Sequence, residues 1–222
     1  MPCNVLPLLL VILLSVRELF LTLHKSEDPF CPSMMSQEGK SQEPVVRIVA
    51  TSHAASWLFQ VLQEEDDKTL DNLDGKGFGR PVTQQGIEDW LGPVETPNGK
   101  YCSAISFLTY QDNQTGVHCG IKTGVVHQYK DGIKVGYLVT VYSATNFQKQ
   151  GLATAAVKAA TSHAFSKLQV KEVAFLLADR NTAAQAFYKR IGFGPTAINF
   201  LRGGIPMTLW TISNESFNER YT

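Results

Sequence analysis

The constraint that most narrows the fold is a change of hydrophobic period at Gln148-Lys149-Gln150-Gly151-Leu152-Ala153. Upstream, Val135 to Tyr142 is dense in β-branched and aromatic residues, the composition of a strand. Downstream, Leu152, Ala156, Ala160, Ala164 and Leu168 recur every four residues, with Val157 and Phe165 beside them, as on an amphipathic helix. A strand that feeds a helix through so short a turn points several backbone N–H groups and the positive end of a helix dipole at one spot. A phosphate or pyrophosphate suits such a spot. Gly151 lets a ligand approach the backbone, and Ala153 adds no bulk. The spacing Q-x-x-G-x-A is neither the dinucleotide fingerprint nor a P-loop. Read locally, the segment is a weak signal, since many strand–loop–helix junctions contain one Gly and bind nothing.

A second element narrows the choice. Glu172 to Ala178 is an almost unbroken apolar run, as in a strand covered on both faces. Asp179-Arg180-Asn181-Thr182 follows, and then a helical stretch from Ala183 to Ile191. Asn181 is placed as N-cap and Gly192 as the left-handed residue past the helix end. Ala184, Phe187 and Ile191 share one face. Tyr188 lies next to it, where a ring packs while its hydroxyl reaches a cleft.

Together these segments resemble the GNAT superfamily of N-acetyltransferases. Gln148 to Ala153 is similar to that family's acyl-CoA-binding motif R/Q-x-x-G-x-G/A. Asn181, Ala184, Phe187, Tyr188, Gly192 and Phe193 are similar to its N-x-x-A-x-x-F/L-Y-x-x-x-G-F signature. The resemblance is strong from Lys134 to Phe193, looser from Val45 to Ser213, and absent from the first forty residues. It implies an α/β fold: a single domain with a mixed, twisted sheet of about six or seven strands and helices on both faces. It also implies acetyl-CoA as cosubstrate, lying where two neighbouring parallel strands splay apart. Gln148, Lys149, Gln150, Gly151, Leu152, Ala153 and Thr154 would surround its pyrophosphate. Tyr142 and Ser143 would pair with the pantetheine amides as an added strand, and Asn181 would bond the pantetheine arm. Tyr188 would protonate the departing thiolate. The implied reaction is direct transfer of acetyl to a primary amine: a small amine, a lysine or a protein N-terminus. A non-catalytic acyl-CoA-binding module and a membrane-tethered acyltransferase are the rival readings.

The general base is missing from the expected place. Many relatives carry a Glu on the strand before the loop, whereas Tyr137 to Ser143 holds no carboxylate. His127, Tyr142 or a water chain are the substitutes. The acidic run Glu64 to Asp74, six carboxylates against Lys68, reads either as a solvated surface or as an attractant for a cationic acceptor.

Length and charge agree with one catalytic domain. The chain has 222 residues and zero formal net charge, and it lacks the basic stripe of a nucleic-acid binder. Cys3, Cys31, Cys102 and Cys119 form no C-x-x-C pair, so no metal site is expected. Cys102 and Cys119 read as buried thiols, with a cross-strand bridge left open.

Residues 1–44 are set apart as an apolar segment and polar linker, and 45–222 as the N-acetyltransferase domain. Val5 to Val16 is a twelve-residue apolar run interrupted by Arg17-Glu18 before Leu19 to Leu23. As a helix it spans about 18 Å, short of a bilayer core of ~30 Å. It lacks the basic flank and small-residue cleavage site of a signal peptide. A cytoplasmic enzyme is the favoured expectation, with Met34-Met35 as an alternative start and membrane association through residues 5–23 kept open. Two sequons, at Asn113 and Asn214, would matter only in a secretory setting.

Across the rest of the domain, Val45 to Val49 reads as the first strand and Ser52 to Leu62 as a helix capped by Ser52. Gln84 to Leu91 reads as a short helix. Tyr101 to Tyr110 and Val117 to Tyr129 read as strands joined around Asp112 to Gly116, with a further turn at Lys130-Asp131-Gly132. Ala197 to Leu201 and Pro206 to Ile212 read as a closing hairpin.

Overall fold

The computed structural model describes residues 43–63, 65, 81–92, 95–96, 99–125, 134–202 and 204–221, all within the compact unit Ser41–Thr222. His127, the Lys130-Asp131-Gly132 turn, the side chain of Cys102, the acidic run apart from Glu65, and residues 5–23 lie outside the described residues.

The described strands are β1 (Val45–Val49), β2 (Glu95–Thr96), β3 (Gly99–Gln111), β4 (Gln114–Val125), β5 (Lys134–Ser143), β6 (Glu172–Ala178), β7 (Gly194–Arg202) and β8 (Ile205–Ser213). The helices are α1 (Thr51–Leu62), α2 (Gln84–Leu91), α3 (Leu152–Ser166), α4 (Thr182–Ile191) and α5 (Asn214–Tyr221). The main sheet runs β1-β3-β4-β5-β6-β8-β7, with the two-residue β2 paired onto β3. Only β5–β6 is parallel among these pairs; the others are antiparallel.

The helices divide between the two faces of this sheet. On one face, Phe107, Val117, Cys119, Ile121 and Leu138 pack with Leu152, Ala156, Val157, Ala160 and Ala164 of α3 and with Tyr188 and Ile191 of α4. On the other, α1 and α2 bury Ala54, Ala55, Leu58, Leu62, Ile87 and Leu91 around Tyr142. Lys122 fastens α2 to this face by donating to the Trp90 carbonyl, 2.5 Å. Burial of a Leu-sized side chain contributes about 1.5–3 kcal/mol, so these two cores hold the sheet's strands in place.

Most expected elements are present with small shifts that have local causes. The first helix starts at Thr51 with Ala50 as N-cap, not Ser52, because β1 stays in register with β3 to Val49↔Ser106 and leaves only Ala50 between strand and helix. The β3–β4 turn is two residues long, not five. Asp112 (φ 50°) and Asn113 (φ 63°) both adopt left-handed backbone, as a tight hairpin requires, so Gln114 and Thr115 join the ladder and Gly116 is bulged. Helix α5 was not anticipated: its polar sequence buries one side chain, Phe217, and Ser213 caps it by accepting from Ser216 N–H (3.1 Å).

Candidate functional site

The site originates in the register of β5. Gly120 pairs with Thr140 but Ile121 with Leu138, which leaves Val139 as an extra, bulged residue. A bulge bends and twists its strand. On its other side β5 pairs with β6 for three residues only, Val135↔Glu172, Gly136↔Val173 and Tyr137↔Ala174. Beyond that the strands part, and the Leu176 N–H donates to the Tyr137 hydroxyl (3.2 Å) across the opening.

The opening is a cleft lined by Leu138 to Val141 of β5, Phe175 to Leu177 of β6, and Asn181, Ala184 and Tyr188. Asn181, in the cleft lining, caps α4 by accepting from the Ala184 N–H (3.2 Å), which commits its carbonyl oxygen. Tyr188 packs tilted against Phe175 (ring centroids 4.1 Å) and meets Phe187 and Phe193 edge-on. Burial, and then the Cys119 thiol, push its phenol well above the ordinary tyrosine value. It is held in its protonated form.

A second pocket of ≈ 300 Å³ shares the β5 and α4 walls and is lined by Ser143, Phe147, Lys149, Gly151, Leu152, Ala153, Thr154, Phe187 and Arg190. Gly151, in left-handed backbone (φ 83°), precedes Leu152 at the start of α3 and makes no side-chain cap. The first N–H groups of α3 therefore face this pocket without intrahelical acceptors. Lys149, also left-handed (φ 62°), and Arg190 add positive charge. The Ser143 hydroxyl is buried there without a hydrogen-bond partner. Left-handed turns, open N–H groups and two cations suit a diphosphate, and the orphaned hydroxyl suits a polar chain running past it.

Most residues named from the sequence converge on these two pockets. Three do not present their side chains there. Gln148 Nε2 turns back to the Ser143 carbonyl (3.5 Å), and Gln150 Nε2 donates to the Asn146 carbonyl (2.8 Å), so both serve the loop. The Tyr142 ring lies on the α1–α2 face, its hydroxyl donating to Glu65 (2.5 Å) and its ring edge-on to Trp57. Arg190, Phe147 and Phe187 were not foreseen in the pocket, nor was Glu65 beside Tyr142. Buried His118, opposite Tyr142 in the β4–β5 register, was also missed. It contacts Ser106 Oγ (3.2 Å) through Nε2, and burial pushes its imidazole down to about 3. Cys119 is a free buried thiol. Among the described residues no cluster suits a metal, and no helix is long and apolar enough to cross a membrane.

Solved structures share this fold. An aminoglycoside acetyltransferase in complex with coenzyme A has TM-score 0.61 at 15% identity, over 81% of this chain and 100% of that one. A spermidine/spermine N-acetyltransferase from Vibrio cholerae has TM-score 0.56 at 11% identity, over 81% and 99%. The ribosomal-protein-S18-alanine N-acetyltransferase from Escherichia coli has TM-score 0.52 at 14% identity, over 77% and 93%. At these identities the likeness is one of fold. No curated protein matches the sequence. The family model described as "Acetyltransferase (GNAT) family" matches residues 75–193, more than half of the chain. With the strand split, the helix-start pocket and both signature segments in place, the chain belongs to the GNAT family of acetyl-CoA-dependent N-acetyltransferases.

Proposed function

We propose that this protein moves an acetyl group from acetyl-CoA to a primary amine by direct attack within a ternary complex. The observation that carries this reading is the parting of β5 and β6 after three residue pairs, with a helix-start pocket at one end and Tyr188 in the wall. Bound there, the thioester supplies the acyl group and a thiolate of tolerable basicity as leaving group. The main-chain N–H groups from Gln150 to Thr154 hold the diphosphate, and Lys149 and Arg190 offset its charge. The Asn181 amide and the backbone of Tyr142 and Ser143 orient the pantetheine arm as an additional strand. Backbone N–H groups at the Val139 bulge polarise the carbonyl, and Tyr188 gives its proton to the departing sulfur. Aminoglycosides, spermidine and spermine, and an alanine of a ribosomal protein, named for the similar structures, all offer amino groups.

The test is calorimetric titration with acetyl-CoA, followed by thiol detection with a panel of amines. Micromolar binding and amine-dependent release of coenzyme A are expected. Absence of binding would remove the proposal. The lack of a carboxylate on β5 favours a second reading, a non-catalytic acyl-CoA-binding module. That reading predicts binding with no thiol release from any amine.

We further propose that residues 45–222 form the N-acetyltransferase domain, acting in the cytoplasm. A truncation starting at Val45 should retain the acetyl-CoA affinity of the full chain.

A further inference from the structure

The reaction needs a group that receives the acceptor's ammonium and takes a proton from its nitrogen, and β5 offers no carboxylate for it. The fold brings one in from elsewhere. Glu65, three residues past the end of α1, accepts a hydrogen bond from Tyr142, 77 positions away in the chain. Trp57 of α1 stands edge-on to the Tyr142 ring, with centroids 6.0 Å apart.

The position of this trio suits the chemistry. Thr140 and Tyr142 are two residues apart on β5 and occupy the same sheet face, and Thr140 lines the cleft. Tyr142 is then one side-chain repeat, about 7 Å, farther along that wall. Tyr188, which serves the sulfur, is on the opposite face with α3 and α4. An acceptor entering from the α1–α2 side would meet the carbonyl from the side away from the proton donor. The other ionisable groups of β4 on the Tyr142 face do not compete for the role. His118 is buried with burial lowering its basicity, and Lys122 is held by the Trp90 carbonyl.

We infer that Glu65, hydrogen-bonded to Tyr142 beside Trp57, holds the acceptor as a cationic primary amine and takes the proton it loses. This rests on the acetyl-transfer reading of the cleft. The bound ammonium first gives one proton to Tyr142 Oη as the phenolic proton moves to the Glu65 carboxylate, which frees the nitrogen lone pair. The neutral nitrogen then bonds to the thioester carbon, the carbon–sulfur bond breaks, and sulfur takes the Tyr188 proton. The nitrogen's second proton passes through solvent to restore Tyr188, and Glu65 returns its own to solvent. One N–C bond forms, one C–S bond breaks, and one proton is released overall. The Glu65 carboxylate selects a positively charged amine over a neutral one.

The test compares spermidine and an alanine-initiated tripeptide, both cationic at pH 7, with methoxyamine, which is uncharged there. Thiol release gives kcat and KM for wild type, Glu65→Gln and Tyr142→Phe. Glu65 is partly exposed, and Tyr142→Phe keeps the ring against Trp57, so both variants should fold. For the cationic amines, Glu65→Gln should lower kcat/KM about 100-fold, and Tyr142→Phe roughly 10-fold. The fall should be shared between kcat and KM. Methoxyamine should lose far less, and acetyl-CoA affinity should not change. An equal loss on methoxyamine, or Glu65→Gln within twofold of wild type on all three, would overturn the assignment while leaving acetyl transfer intact. A wild type that binds acetyl-CoA but acetylates none of them overturns both, and leaves the binding module.

Discussion

Replacing Gly151 by Ala separates what the helix-start turn does for the fold from what it does for a ligand. Gly151 sits at φ 83°, where an L side chain is strained, and a Cβ added there would meet nothing within 4 Å. The folding penalty is therefore conformational, about 1 kcal/mol, with no steric part. For a chain of this size that corresponds to a fall in Tm of about 2–4 °C. Gly204 provides an internal control, with φ 81° and equally open space, on the β7–β8 hairpin outside the phosphate pocket. Gly204→Ala should lower Tm by the same few degrees. Only Gly151→Ala should disturb acetyl-CoA, because its methyl group would occupy space where the diphosphate approaches the α3 amides. Losing one charge-assisted N–H contact costs about 1.5–3 kcal/mol, or roughly 10–100-fold in Kd. Differential scanning fluorimetry and calorimetric titration read the two effects separately. If Gly151→Ala binds acetyl-CoA within twofold of wild type, or Gly204→Ala weakens it as much, the phosphate assignment is wrong.

Tyr188→Phe should reduce kcat by about 10²–10⁴-fold while leaving acetyl-CoA affinity nearly unchanged. Because burial raises the Tyr188 phenol, the wild-type rate should show no alkaline limb from this group up to about pH 10, followed by thiol release. His118 should make the fold acid-sensitive. Its folded-state value of about 3 lies below the unfolded 6.5, so the unfolded chain binds the extra proton and stability falls as pH drops from 6.5 toward 3. The loss is on the order of 5 kcal/mol at ~1.36 kcal/mol per pH unit, and His118→Gln should flatten the denaturation midpoint over that window. Gly116→Ala should be more costly than its place in a strand suggests, because its Cβ would lie 2.6 Å from the Phe147 ring. The expected price is about 1–3 kcal/mol, with weakened acetyl-CoA binding, since Phe147 lines the phosphate pocket.

Local chemistry made the centre of the molecule readable from its sequence. The four-residue spacing from Leu152 to Ala164 and the Asn181 and Gly192 caps report directly on backbone geometry, and the structure reproduces α3, β6 and α4 accordingly. Elements set by partners were harder to see. The Val139 bulge exists only in relation to β4, so no property of Val139 announces it. Arg190 reads as an ordinary solvated base on α4 until the fold sets it, with Phe187 and the α3 turn, along one pocket. The Tyr142 ring could not be assigned to a face without that bulge, and a hydrogen bond to Glu65 spanning 77 residues leaves no local trace. Helix α5 escaped because a single buried aromatic, Phe217, sets no period.

The three-rung join between β5 and β6 also bears on how this protein would behave in a cell. Past Tyr137 the two halves of the sheet present main-chain donors and acceptors to each other across empty width, like a zip left undone. A thioester threaded between them would act as a temporary seam. Resistance to heat and proteolysis should then rise with the supply of that metabolite, and amide exchange from Leu138 to Ser143 should slow when it is plentiful. The lifetime of the enzyme would then track the abundance of its acyl donor.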